Sequence, residues 1–506
     1  MAIRNQVTIH FAKHSKLKYL TKQMENLNSI EEIFKKQGEN RWNIARTTAK
    51  ERCEKLLKLR KTIVAHQQEF FDAIWQDFHK SKTEAWLSEV FPTLQEIDYA
   101  ISHLPEWMEN KDGSWSFIFP LNKSRSHFEP KGRVLIMAPW NYPFLLFISP
   151  LVAAIAAGNV VIAKPSHKTP HVSRFLNSLI TEIFDASEIA IIEGAGAEIG
   201  DKLLALPFDH VFFTGSPTVG AHVAELAAKI HAGITLELGG KSPVVVLPDV
   251  NIADCAKKIA WGKCLNAGQI CIAPDYLLCP QKLVQPLAEA IKKNIEKMFG
   301  ITDEERRKSE NFVQIVDKKT VERHKALIEE ALSKGAKAII GGNISPEDIE
   351  NRYTPPTVLT EVNTEMDVMK SEIFGPVLPI IAYEDLDKAI EFIQARPKPL
   401  ALYIFGKNQK QIDAILSQTT SGSTCINHCI LQIENLSVPF GGVGMSGTGN
   451  YHGFYGFKTF SHERNIMEQG SIDAMDVFYP PYHKESDKGM RAIIQRLAKK
   501  FLGFKA

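Results

Sequence analysis

Four short apolar runs, Arg133–Ala138, Val160–Ala163, Ile191–Glu193 and His210–Thr214, follow one another with helical stretches between them. Strands that alternate with helices pair in parallel, because only a crossover helix returns the chain to the same end of the sheet. The pattern predicts a doubly wound sheet with helices on both faces. A second alternating series begins at Val244–Leu247 and runs to about Phe405. It includes a charged helical stretch over Asp317–Lys337 and a strand at Ala338–Gly341. Two α/β units of similar size follow, with a boundary near Ile234–Leu236, and 506 residues are too many for one ordinary core.

The flanks read differently. Ser29 to Glu109 is amphipathic helix, as in Ala49–Arg60 and Ile97–Met108, where apolar residues recur at three- and four-residue spacing. Residues 113–130 read as a two-stranded excursion. Phe144 to Ala163 is apolar enough to be weighed as a membrane span. Pro150, Gly158-Asn159 and the polar Lys164-Pro-Ser segment favour a buried helix leading into a buried strand. Residues 1–28 are a basic extension without the apolar core of a signal peptide. Residues 473–506 form a tail whose last part, 490–506, has the pattern of a basic amphipathic helix. Such a helix docks on its own protein or makes a peripheral membrane contact. A net charge of +2 gives no reason to expect a nucleic-acid partner. Seven irregularly spaced cysteines fit a reducing compartment, hence the cytoplasm, better than a disulfide framework. Cys425-Ile-Asn-His-Cys429 is half of a metal site with no second pair to complete it, so no metal is expected.

Two segments carry covalent chemistry. Cys271 ends Asn266-Ala-Gly-Gln-Ile-Cys271, a thiol beside a glycine turn. Glu237 opens Glu237-Leu-Gly-Gly-Lys241, a carboxylate followed by backbone that a ligand can approach closely. Together they suit an enzyme that captures an electrophilic carbon on sulfur and releases it with activated water. A lone cysteine is more often a small buried hydrophobe, so the other motifs matter.

Phe213-Thr-Gly215-Ser216-Pro-Thr-Val-Gly220 follows a strand and opens a helix, an arrangement whose backbone N–H groups bind a diphosphate. Gly194-Ala-Gly-Ala-Glu-Ile-Gly200 is a weaker near-match. Lys164-Pro-Ser166 closes another strand at the same edge, where lysine either holds ribose or phosphate or is simply solvated. Pro139-Trp140-Asn141-Tyr142-Pro143 ends the first strand. Its Asn amide either donates to an oxyanion or forms a structural turn. Glu372-Ile-Phe374-Gly-Pro pairs a carboxylate with an aromatic, either to receive ribose hydroxyls and a flat ring or as a surface turn.

Taken together and in order, from about residue 30 to 465, these segments and the closing run from Phe440 to His462 resemble the aldehyde dehydrogenase superfamily, most closely its class 3 branch of fatty and aromatic aldehyde dehydrogenases. The resemblance implies the following. Residues 29–235 form an NAD(P)-binding domain, residues 236–440 a catalytic domain, and 113–130 with about 461–472 a small β oligomerisation element in a homodimer. Cys271 is the nucleophile and Glu237 the base for deacylation. Asn141 and the Cys271 N–H form the oxyanion hole. Trp140, Lys164, Ser166, Gly215, Ser216, Gly220, Glu372 and Phe374 bind NAD or NADP. The substrate is a medium- or long-chain aliphatic or an aromatic aldehyde, in a tunnel shaped by Tyr142, Phe144 and Phe440. It leaves as the carboxylic acid by way of a thiohemiacetal and a thioester.

One position departs from the family. Where many relatives have Glu after Lys-Pro-Ser, this chain has His167, which removes a charge that repels a ribose 2′-phosphate. NADP is therefore expected to serve at least as well as in a Glu-bearing relative. A base at Glu237 speaks against relatives that pass the thioester to CoA or phosphate. The joint presence of Cys271, Glu237, Asn141 and Glu372 speaks against a non-catalytic copy.

Overall fold

A computed structural model describes residues 29–114 and 122–470, with isolated positions beyond. The N-terminal extension and most of the C-terminal helix proposed above lie outside the described residues. The chain divides into two units, one of residues 1–107 and 130–461, the other of 108–129 and 462–506.

The smaller unit holds a three-stranded sheet. Strand β1 (Lys111–Asp112) pairs antiparallel with β2 (Lys123–Pro130), and a strand over Ser461–Glu468 lies on the other side of β2.

The larger unit contains two sheets. In the first, β3 (Arg133–Met137), β4 (Val160–Lys164), β5 (Ile189–Ile191), β6 (His210–Gly215) and β7 (Gly233–Leu238) are all parallel, in the order β7-β6-β3-β4-β5. The third strand sits two residues earlier than the run Ile191–Glu193 predicts. Its partner β4 ends in register there, with Ala163 opposite Ile191, and the chain then turns through Glu193 and Gly194. The helix Leu145–Ala157 is apolar because it is buried all round, and after Gly158 in a left-handed turn it feeds straight into β4. Because β3 lies between β4 and β6, the chain leaves its C-terminal end and that of β6 in opposite directions. That opens a crevice at this edge, where doubly wound sheets bind ligands.

The second sheet contains β8 (Pro243–Val246), β9 (Tyr276–Pro280), β10 (Lys337–Ile340), β11 (Thr357–Thr360), β12 (Val377–Tyr383), β13 (Ala401–Phe405) and β14 (Ser423–Ile426). Their order is β10-β11-β12-β9-β8-β13-β14, with only β10 antiparallel. The predicted boundary at Ile234–Leu236 falls inside β7, and the crossing to the second sheet lies at 239–242. The charged helix is Lys318–Ser333, capped by Asp317, and β10 begins at Lys337. A two-residue strand, β15 (Gly447–Thr448), joins the first sheet antiparallel to β7, placing Gly447 opposite Glu237. The strand Ser461–Glu468 is thus β16.

Candidate active site

The crevice holds a cavity of about 270 Å³. Trp140 and Asn141 enter it from the end of β3, Gly215 and Ser216 from the end of β6, and Glu237 from the end of β7. Cys271, Glu372 and Phe374 come from loops of the second sheet. The structure thus brings together eight of the predicted site residues. Gly220 stands one turn into the helix Pro217–Lys229, where an added Cβ would come within 2.5 Å of Leu238. It serves helix–strand packing. Ser216 caps that helix by accepting from the Val219 N–H. Lys164 and Ser166 are buried at the end of β4, outside the cavity wall, and Ser166 Oγ accepts the Lys168 N–H at 3.3 Å.

Asn141 is buried and its Nδ2 donates to the Gln269 carbonyl at 3.0 Å, while its own carbonyl accepts from Asn266 Nδ2 at 2.9 Å. Asn266 and Ala267 have φ of 49° and 50°, so the segment leading to the thiol is wound left-handed. Glu84 accepts the Asn266 N–H at 2.9 Å and fixes the start of that turn. Behind Tyr142, the buried Lys80 and Glu89 form an ion pair at 2.8 Å. Glu89 also accepts the Phe144 N–H at 2.9 Å, capping the helix that follows Asn141. A buried pair of this kind carries a large desolvation cost, and its value here lies in geometry.

Burial first, then the facing Glu372 and Glu237, push the Cys271 thiol above its ordinary range. The N–H groups of Cys271 and Ile272 pull the other way. The resting thiol is therefore protonated at neutral pH. Both carboxyl oxygens of Glu237 are buried with no hydrogen-bond partner, and burial raises its pKa well above the carboxylate range. Burial, then Asp275, pushes Glu372 up to about 8. Gly239 is glycine because a Cβ there would collide with the Glu372 carboxyl.

The segment carrying Glu372 and Phe374 is clamped. Asp275 accepts the Ile373 N–H at 2.9 Å and pairs with Lys241, whose ammonium also reaches the carbonyls of Val368 (2.7 Å) and Ser371 (2.8 Å). Arg323 donates to the carbonyls of Glu372 and Ile373. Phe374 holds a φ of 51° and meets Trp140 edge to face at 5.2 Å. Arg323 and Thr320 line the crevice but carry no motif, because they sit on an ordinary charged amphipathic helix.

A second cavity, of about 590 Å³, reaches Cys271 from another side. It is lined mainly by apolar side chains, among them Leu87, Tyr142, Trp261, Phe299 and Ile433. Tyr142 is placed as expected, but Phe144 and Phe440 are not in this wall. Phe144 packs against Phe70 (4.6 Å) and Phe175 (6.2 Å), and Phe440 against Tyr451 (6.0 Å).

The model of the Aldehyde dehydrogenase family matches residues 13–466. Aldehyde dehydrogenase family 3 member A2 of Mus musculus is 40% identical over 434 residues, covering 85% of this chain and 87% of its own. The aldehyde dehydrogenase, dimeric NADP-preferring, of Canis lupus familiaris is 38% identical over 432 residues, covering 85% and 93%. Among solved structures, the substrate-bound state of Staphylococcus aureus AldH superposes with a TM-score of 0.86 at 38% identity, covering 92% of this chain and 99% of that one. With this site geometry, these likenesses place the chain in the aldehyde dehydrogenase family, whose members oxidise aldehydes to carboxylic acids with NAD or NADP.

Proposed function

We propose that this chain oxidises medium- or long-chain aliphatic or aromatic aldehydes, with Cys271 as nucleophile. The observation that carries the reading is that Cys271 lines both cavities, the polar crevice at the sheet edge and the apolar tunnel. A thiol at that junction meets an aldehyde from one side and a cofactor from the other.

The crevice fits a dinucleotide. It lies at the switch point of the sheet, the Gly239 backbone leaves room against the Glu372 carboxyl, and Trp140 and Phe374 present rings. Glu372 and Phe374 would hold the nicotinamide half, Gly215, Ser216 and the helix N-terminus the diphosphate, and Lys164 and Ser166 the adenosine half. A bound NAD or NADP supplies a hydride acceptor, and the remaining roles fall to the chain. Cys271 gives its proton up to solvent in the crevice as the aldehyde arrives, and its sulfur adds to the carbonyl carbon. The Asn141 amide and the Cys271 N–H receive the oxyanion that forms. Loss of hydride from that carbon leaves a thioester. Glu237 then takes a proton from water, the hydroxide adds to the thioester carbon, the C–S bond breaks to release the acid, and Glu237 returns its proton to the leaving sulfur to restore the thiol. A buried carboxylate with no hydrogen-bond partner is a stronger base than a solvated one, which suits this step.

His167 lies beside Lys164 and Lys168, and burial, then these lysines, hold its pKa below the ordinary value. A neutral ring between two cations supports the use of NADP beside NAD. The exposed strand β16 at the edge of the small sheet supports a homodimer built by strand pairing. Seven free cysteines, four of them buried, support a reducing compartment and the cytoplasm. The test is absorbance at the reduced-nicotinamide band with aldehydes from acetaldehyde to long-chain alkanals and benzaldehyde, in wild type and Cys271→Ala. Cysteine-dependent reduction without CoA or phosphate is expected. No reduction with any aldehyde, despite normal cofactor binding, would refute the reading.

A further inference from the structure

Beside the apolar tunnel lies a third cavity, a chamber of about 20 Å³. The two share Leu145, Ile433 and Glu434 in their walls. Ser149, Glu96 and His452 also line the chamber. Its volume suits one water molecule, which needs about 10–15 Å³ by this measure.

Two buried polar atoms in the chamber wall have no hydrogen-bond partner, Ser149 Oγ and His452 Nε2. Ser149 is 1% exposed and is the only polar side chain on the helix Leu145–Ala157. A hydroxyl taken out of water into such surroundings costs free energy unless it finds a partner. His452 is 4% exposed and holds φ 72° and ψ 141°, backbone that glycine takes more easily. The side chain is therefore what this position uses. Its Nδ1 lies 2.6 Å from Glu96 Oε2, and the other oxygen of that carboxyl accepts the Gly453 N–H at 2.8 Å. Glu96 thus fixes the ring, and Nε2 is the nitrogen left over. A water between Nε2 and the Ser149 hydroxyl can donate to one and accept from the other, whichever tautomer the ring holds.

Buried waters typically make about three hydrogen bonds, and the third partner here is a carboxyl. Among the described residues the tunnel wall carries two, Glu84 and Glu434. Glu84 is taken up by the Asn266 N–H at 2.9 Å. Of the two, only Glu434 also borders the chamber. A plain alkyl tail that covers Glu434 strips water from its carboxyl and offers nothing in return, whereas a hydroxyl restores the bond. A neutral hydroxyl also crosses an apolar tunnel at less cost than an ammonium.

We propose that the chamber is a site for one water that ties the Glu434 carboxyl to Ser149 and to the Glu96–His452 pair, and that Glu434 so held is a specificity residue of the tunnel, favouring aldehydes whose tail carries a hydroxyl. This rests on Cys271 being the nucleophile in that tunnel.

The test has two arms, both on the full chain. In a crystal structure, one ordered water is expected within about 3.2 Å of both Ser149 Oγ and His452 Nε2. In steady-state assays with NAD, kcat/KM is compared for medium- and long-chain ω-hydroxyalkanals and for alkanals of matched length. The enzymes are wild type, Glu434→Leu and Ser149→Ala. The ratio of hydroxylated to plain substrate should peak at one chain length in wild type. At that length it should fall by about tenfold in Glu434→Leu. In Ser149→Ala, where the acceptor stays but loses its support, it should fall by about threefold. A merely structural role for either residue would lower both substrates alike and leave the ratio in place. A chamber without water in the crystal, or an unchanged ratio in Glu434→Leu, overturns the proposal. A ratio that falls there but holds in Ser149→Ala overturns the water link. Each of these leaves the functional reading intact, because alkanals are still oxidised. A wild type that makes no cysteine-dependent NADH overturns both.

Discussion

The Asn141 amide nitrogen donates to the Gln269 carbonyl at 3.0 Å, two residues before Cys271. The proposed oxyanion donor is thus tethered to the loop that carries the proposed nucleophile, and the two are positioned together. Asn141→Ala should lower kcat/KM for aldehydes by about 10²–10³, the effect of deleting one such donor. The Asn266 contact survives, since it uses the Asn141 main-chain carbonyl. Steady-state kinetics with a separate cofactor-binding titration checks this, and cofactor affinity should not change.

Glu237→Gln should retain the first turnover and lose later ones, with kcat reduced by about 10²–10⁴. The same substitution should stabilise the fold. Burial raises the Glu237 pKa, so the folded chain keeps a proton that the unfolded chain gives up from about pH 4.3 upward, and wild-type stability falls as pH rises through that window. Gln carries no such penalty. The difference in melting temperature, variant minus wild type, should be positive and larger at pH 8 than at pH 5.

His167→Glu should shift cofactor choice toward NAD. A carboxylate beside Lys164 and Lys168 partly neutralises them and repels a 2′-phosphate, so kcat/KM for NADP relative to NAD should fall by about tenfold, equivalent to about 1.4 kcal/mol. An unchanged ratio would show that this residue takes no part in the choice.

Gly239→Ala should drive the Glu372 carboxyl from its place, because the new methyl would occupy it. The expected effect is a rise in KM for the cofactor of about tenfold with KM for the aldehyde nearly constant. Varying one substrate at a time distinguishes the two.

Much of this was legible in the sequence for a physical reason. Strands buried on both faces read as unbroken apolar runs, so β3, β4 and β6 stand out, and Cys271, Glu237 and Glu372 are flanked by glycines that mark close backbone approach. What was not legible depends on distant partners. Phe144 and Tyr142 flank the same Pro143, yet one is sealed against Phe70 and the other lines the tunnel. Arg323 looks like any charge on a helix until the fold sets it beside Glu372. Lys80 stands in the short connection after the helix Gln67–Phe78 and Glu89 in the helical segment Trp86–Val90, and nothing local shows that both are fully enclosed.

Among the described residues, the tunnel and the crevice share only Leu146 and Cys271 in their walls. Neither reactant therefore has to pass through the other's compartment. An aldehyde can arrive with the cofactor already seated, and the acid can depart down the tunnel while the reduced cofactor stays in place. The two products then have separate exits. Lengthening the alkyl chain of the product should slow its own release without altering that of the reduced cofactor.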